Sequence, residues 1–399
     1  MESRKKMLGG VAIIWIVAIL LYYVMLYLEP ILLQSPHLFD AVTWTTKAID
    51  DPVYKLWWAI GDLTEGAVYK SVIASFGIVG FGFIAHFINK KRPQTKIMPV
   101  SYSTGNFPWI VLAACVGLLV STILYSDQLT MGWIPTFLPG CTIPAALVVM
   151  YGGGARVALT GGILSGIIQY PLAYAGMVLS TKAGMPSLVF VSIIGMSVSG
   201  IIITEIFRLL PWTRGYVTGK RTPSVPGVDE RCKPIGAEPT AGWVIRRTLT
   251  DPTEVFFFGS ELAGIGLLLG AFLSWGLNPA HNCYGVPFLF GAIVCGQLMG
   301  TSLTAVLYYE KWKTYGFYPT YSVAIGVGVE LLFFGTSMPL IIACVILSSL
   351  ICPFLAGKAW VFCITKLPRY PSMIGSVAGM GVGIAIVSII IKVFYMLVQ

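Results

Sequence analysis

Apolar residues in this chain come in long runs rather than in alternation. Runs at 8–28, 71–88, 107–126, 138–151, 156–177, 187–207, 254–277, 285–309, 318–335, 338–356 and 373–395 are separated by short polar or Gly/Pro-containing stretches. A helix needs about 20 apolar residues to cross a bilayer, and the pattern predicts eleven such crossings in an all-α polytopic membrane protein. The first run follows the charged start Met1–Lys6 in the manner of a signal sequence. It is too long for a signal core and lacks a small-x-small cleavage site, so it is expected to remain as an uncleaved helix, 1–28.

Composition agrees. Mean hydropathy is +0.81, with 56% hydrophobic and only 11% charged residues, where soluble domains carry about a quarter charged. The net charge of +9 does not point to nucleic acid, because the basic residues gather in short loops and form no basic and aromatic stripe. Counted over the segments that alternate crossings place on one side, 20 of the 26 Lys and Arg fall together. That bias predicts a cell-membrane protein with a cytoplasmic N-terminus and an outside C-terminus.

Two stretches interrupt the membrane pattern. Residues 29–70 hold aromatic and acidic residues with Lys47, Lys55 and Lys70, and are expected to form interfacial helices on the outer face. Residues 208–251, rich in Pro, Gly and Arg, read as a cytoplasmic linker. They leave a five-helix unit at 71–207 and another at 252–399.

The two units share short matches in unbroken order. Asp51-Pro52 with Gly61-Asp62-Leu63 parallels Asp251-Pro252 with Ser260-Glu261-Leu262, and Phe107-Pro108 parallels Val286-Pro287. Gly132-Trp133-Ile134-Pro135-Thr136 parallels Gly316-Phe317-Tyr318-Pro319-Thr320. Ile163-Leu164-Ser165 parallels Ile346-Leu347-Ser348, Met185-Pro186-Ser187 parallels Tyr370-Pro371-Ser372, and Arg208 parallels Lys392. With five crossings each, the units have opposite orientation. Such inverted repeats are frequent in secondary transporters, whose solute sites lie near the midplane at broken helices.

Candidate chemistry follows from that architecture. Breaks are expected at Leu138-Pro139-Gly140, at Gly152-Gly153-Gly154 and at Gly335-Thr336-Ser337; backbone freed there can line a cavity but cannot face lipid. Whether 138–177 and 318–356 cross fully or re-enter is left open by their length. Arg156, one residue beyond the glycines, is a candidate anion ligand at a helix start. Glu330 is an ionisable group in mid-run, a functional candidate by its cost alone, and is assigned to the coupling ion. Asp62 and Glu261, at matched positions, are candidate gates or proton carriers, or first-turn acids favoured by the helix dipole. Gln169, Gln297, Thr301, Ser302 and Thr304 are polar cavity candidates that also suit helix–helix hydrogen bonds.

No Walker A loop, GxSxG elbow or HExxH helix is present, so no catalytic residue is assigned. His37, His86 and His281 are scattered, and the eight cysteines lack metal-ligand spacing, so no metal or cofactor is expected. Glu205 and Arg208 read as an interfacial pair. The expected function is secondary active transport, without enzymatic activity, of a small polar solute, anionic where Arg156 takes part, coupled to H⁺ or Na⁺. A homodimer is compatible with this reading. The other classes are a phosphotransferase-type permease subunit and an integral membrane enzyme acting on lipid-linked substrates.

Overall fold

The computed structural model describes residues 2–35, 41–92, 97–131, 133–218 and 238–398. His37, Gly132, Cys232 and the linker bases Lys220, Arg221, Arg231 and Lys233 lie outside the described residues. The described chain is helical, with no strand. In order, its main helices are α1 Glu2–Leu32, α2 Ala41–Lys47, α3 Pro52–Glu65, α4 Val72–Lys91, α5 Phe107–Tyr125, α6 Leu138–Tyr151, α7 Ala155–Lys182 and α8 Leu188–Leu209. There follow α9 Ala241–Glu254, α10 Glu261–Leu277, α11 Leu289–Leu307, α12 Tyr321–Phe334, α13 Met338–Lys366 and α14 Met373–Val398.

Eight of these (α1, α4, α5, α7, α8, α11, α13 and α14) are long and apolar enough to cross a membrane, and α6, α10 and α12 are shorter apolar helices. Large apolar side chains such as Ile16, Leu20, Phe76 and Phe394 stand exposed on the long helices, as expected where the surrounding medium is hydrocarbon. These are the features of a polytopic membrane protein.

The breaks expected at Gly152-Gly153-Gly154 and at Gly335 are present, whereas Leu138-Pro139-Gly140 is helical and the interruption falls just after it. Thr142 leaves helical geometry at φ −135°, ψ −120°, dividing α6. Gly152 at φ +94°, Gly154 at φ +149° and Gly335 at φ +115° end α6, begin α7 and end α12. Only glycine adopts these angles without strain. Thr142 Oγ1 donates to the Leu138 carbonyl at 2.5 Å, and Gln169 Nε2 donates to Thr142 Oγ1 at 2.8 Å, so polar groups exposed by the break are partnered inside the protein.

Helices meet through small residues, the usual device where lipid offers no hydrophobic drive for association. Where α4 crosses α10, a methyl on Gly77 would fall on the Gly266 carbonyl, and one on Gly266 on the Gly77 carbonyl. Similarly, α8 meets α14, with Ser197 Oγ donating to the Ile374 carbonyl at 2.8 Å. Helix α1 lies against the second half: Trp15 Nε1 donates to Met299 O at 3.2 Å and the Tyr22 hydroxyl to Thr336 O at 2.9 Å. Its buried Glu29 accepts from Trp275 Nε1 at 3.2 Å and from the Phe288 amide.

Three expectations are corrected. The 29–70 stretch does form helices, but its second part goes inward: Trp58, Ala59 and Gly61 to Ser71 are buried. The 208–251 stretch does not stay a linker to its end, because α9 buries Trp243, Arg247 and Asp251. Lys70 and Arg247, counted among the loop charges in the sequence, are thus interior groups, 2% and 1% exposed. Glu205 pairs at 3.5 Å with Arg369 rather than with Arg208.

Candidate functional site

The ends of α3 and α9 each carry the tetrapeptide Asp-x-Thr-Glu: Asp62-Leu63-Thr64-Glu65 and Asp251-Pro252-Thr253-Glu254. On a helix, positions three apart share a face, so in each case one cation can reach both carboxylates. Lys70 Nζ binds Asp62 Oδ1, and Glu65 Oε2 at 2.9 Å. Arg247 Nη2 binds Asp251 Oδ1, and its Nη1 binds Glu254 Oε1 at 2.9 Å. The intervening threonine closes the loop that follows: Thr64 Oγ1 accepts from the Ser71 amide and Thr253 Oγ1 from the Ser260 amide, both at 3.1 Å.

Each cluster is completed by the same circuit. Trp58 stacks on Lys70, 3.6 Å from ring centroid to Nζ, and donates to Thr136 Oγ1 at 2.9 Å; Thr136 donates to Asp62 Oδ2 at 2.7 Å. Trp312 stacks on Arg247 at 4.0 Å and donates to Thr320 Oγ1 at 3.4 Å; Thr320 donates to Asp251 Oδ1 at 2.9 Å. Tryptophan is the strongest π partner for a desolvated cation, which suits a buried charge with little other solvation. The two tryptophans and the two cations enter from different sequence positions, yet the residue types are joined in the same order.

The acids differ in one respect. All four carboxylate oxygens of the first cluster are bonded: Trp133 Nε1 donates to Glu65 Oε1, and the Tyr284 hydroxyl also bonds Glu65. In the second cluster Asp251 Oδ2 and Glu254 Oε2 are buried with no hydrogen-bond partner among the described residues. Leaving a buried acceptor unsatisfied costs roughly 1–3 kcal/mol, more for a charged group.

Glu65 and Glu254 both line one cleft of about 350 Å³, and among the described residues they are the charged ones along it. The rest is mainly apolar and aromatic, with Ser187, Ser372 and Ser376 among it, and is drawn from both halves: Trp133 and Phe317, Phe137 and Tyr321, Tyr102 and Tyr284. Val68 and Phe257, each three residues past its glutamate, also line it, at φ +70° and +61°. Left-handed backbone at a β-branched or bulky residue is strained, and such strain clusters at binding sites.

The residues singled out from sequence lie elsewhere, apart from Asp62, which joins the first cluster. Glu261, expected to match Asp62, heads α10 and pairs with Arg246 at 2.6 Å; the hydrogen bonds match Asp62 with Asp251 instead. Arg156 is exposed in the first turn of α7, and Gly152, Gly153 and Gly154 form the turn before it. Gln169 ties the α6 break to α7 and reaches Ser199 Oγ at 3.4 Å. Gln297 donates to the Ala67 carbonyl at 2.8 Å, holding the loop after Glu65, and Thr301 bonds back to Gln297 O at 2.7 Å. Glu330 is fully buried on α12, its two oxygens 2.8 and 2.9 Å from Ser388 Oγ, with no ion pair among the described residues. It turns away from the cleft, which its neighbours Val329, Leu332 and Phe333 line.

The described residues hold no group of three His, Cys, Asp or Glu placed to bind a metal ion. No protein-family model, curated protein or solved structure matches the chain.

Proposed function

We propose that this protein is a secondary active transporter that carries a small solute by alternating access, coupled to H⁺ or Na⁺. The observation that carries the reading is the cleft, lined by counterpart residues from two halves and bearing one glutamate from each. The halves are read as inverted repeats of five crossings, with α6, α10 and α12 completing the eleven and the N-terminus cytoplasmic. Support for the two-fold relation comes from the helices that touch their own counterparts: Gly77 of α4 meets Gly266 of α10, and α8 meets α14. A two-fold axis produces self-complementary contacts of this kind.

In such a cycle one repeat takes the other's conformation as the cleft changes sides. The unequal carboxylates suit one end-state of that exchange, with Glu65 fully bonded and Glu254 open on one oxygen. Glu330, bonded to Ser388 of a neighbouring helix and away from the solute, is the proposed coupling group.

Proteoliposomes with imposed proton or sodium gradients test this. A gradient in one of the two ions is expected to drive accumulation of solute, and Glu330→Gln is expected to abolish the dependence on that gradient while leaving downhill exchange. Absence of gradient-driven accumulation across a broad solute screen would overturn the reading, and unchanged coupling in Glu330→Gln would remove Glu330 from it.

A further inference from the structure

The cleft's chemistry identifies a class of solute. We infer that it binds an organic cation, an ammonium group on an apolar or aromatic body, with the ammonium against Glu254. This rests on the cleft being the transporter's solute site, and it replaces the anionic solute expected from the sequence with a cationic one.

Three observations converge on it. First, the charged residues lining the cleft are two glutamates, while the cations Lys70 and Arg247 stand behind them, engaged with Asp62 and Asp251. An anion entering the cleft would face carboxylates. Each cluster holds two acids and one base, so together they favour positive charge.

Secondly, Glu254 is 3% exposed, lines the cleft, and has a buried oxygen, Oε2, without a hydrogen-bond partner among the described residues. A turn of the Glu254 carboxylate toward the cleft would bring that oxygen to a charged donor on the ligand, and charge-assisted hydrogen bonds of this type are about twice as strong as neutral ones. Glu65 offers no such opening, since Trp133, Lys70 and Tyr284 occupy it.

Thirdly, much of the remaining wall is aromatic, with Trp133, Phe137, Tyr284, Phe317 and Tyr321 among its rings. Ring faces attract a cation that has shed its water and take up the apolar body as well.

The test uses the purified full-length protein in lipid nanodiscs, with no gradient, and three probes sharing a phenyl body: 2-phenylethylammonium, 3-phenylpropan-1-ol and 3-phenylpropanoate. Isothermal titration is expected to show the ammonium binding roughly tenfold or more tighter than the alcohol, with the carboxylate weakest. Glu254→Gln is expected to erase the preference for the ammonium over the alcohol, and Glu254→Asp to keep it, as does Glu205→Gln at the protein surface. Size-exclusion profiles check that each variant is folded, and the ranking on the unsubstituted protein stands whether or not Glu254→Gln folds. Equal binding of the three, the result if a proton alone satisfied Oε2, overturns the inference, as does preference for the carboxylate or binding of none. Cation-selective binding without gradient-driven uptake would keep the site and reject the transporter.

Discussion

Arg247→Met is expected to destabilise the protein by about 3–5 kcal/mol, the range for removing one member of a buried ion pair. The side chain is 1% exposed and serves both Asp251 and Glu254. Methionine fills much the same volume but leaves both carboxylates without a countercharge, in a place where Trp312 and Thr320 cannot replace it. Two oxygens of this cluster already lack donors, so there is little spare solvation to absorb the loss. Thermal unfolding in detergent, followed by tryptophan fluorescence, reads the effect as a fall in midpoint of many degrees. The triple substitution Arg247→Met, Asp251→Asn, Glu254→Gln removes the charges together and is expected to recover most of it, because replacing a whole buried network is often close to neutral. An unchanged midpoint in the single variant would mean that these charges are not buried as a pair.

The same cluster marks where sequence reading succeeded and where it did not. The eight long helices, the three shorter ones and the glycine breaks could be read directly, because run length and φ-permissive residues are local properties. The buried charges could not. Lys70 and Arg247 stand at the edges of apolar runs, where a loop charge and an interior charge look alike without knowledge of what packs over them. Aligning the halves on Asp51-Pro52 and Asp251-Pro252 also sets Asp62 against Glu261, and so hides the stronger signal. That signal is Asp-x-Thr-Glu followed six residues later by serine, present at 62–71 and again at 251–260. It recurs with the same spacing because every position in it is used. The aspartate and glutamate share a cation, the threonine clasps the serine amide, and the glutamate reaches the cleft. Glu330 drew attention for being charged in mid-run, and it is buried as expected. Burial alone, however, did not distinguish a residue facing the cleft from one facing a neighbouring helix.

The second large effect is expected at the crossing of α4 and α10. At Gly266 a side chain would strike the Gly77 carbonyl and the Phe81 side chain, and backbone cannot swing aside as a flexible side chain can. Gly266→Leu therefore forces the two helices apart along their contact, at a cost of about 1–3 kcal/mol or more for overpacking, with the loss of close packing that holds helices together in lipid. Because α4 follows directly from the loop after Glu65, and α10 from the loop after Glu254, separating them displaces both glutamates at once. The variant is expected to lower the unfolding midpoint and, under the proposed transport function, to abolish solute accumulation. Gly276→Leu, on the same helix with nothing within 4 Å of its added Cβ, is expected to leave both unchanged. Should Gly266→Leu behave like Gly276→Leu, the α4–α10 crossing would not be what sets the two carboxylates in place.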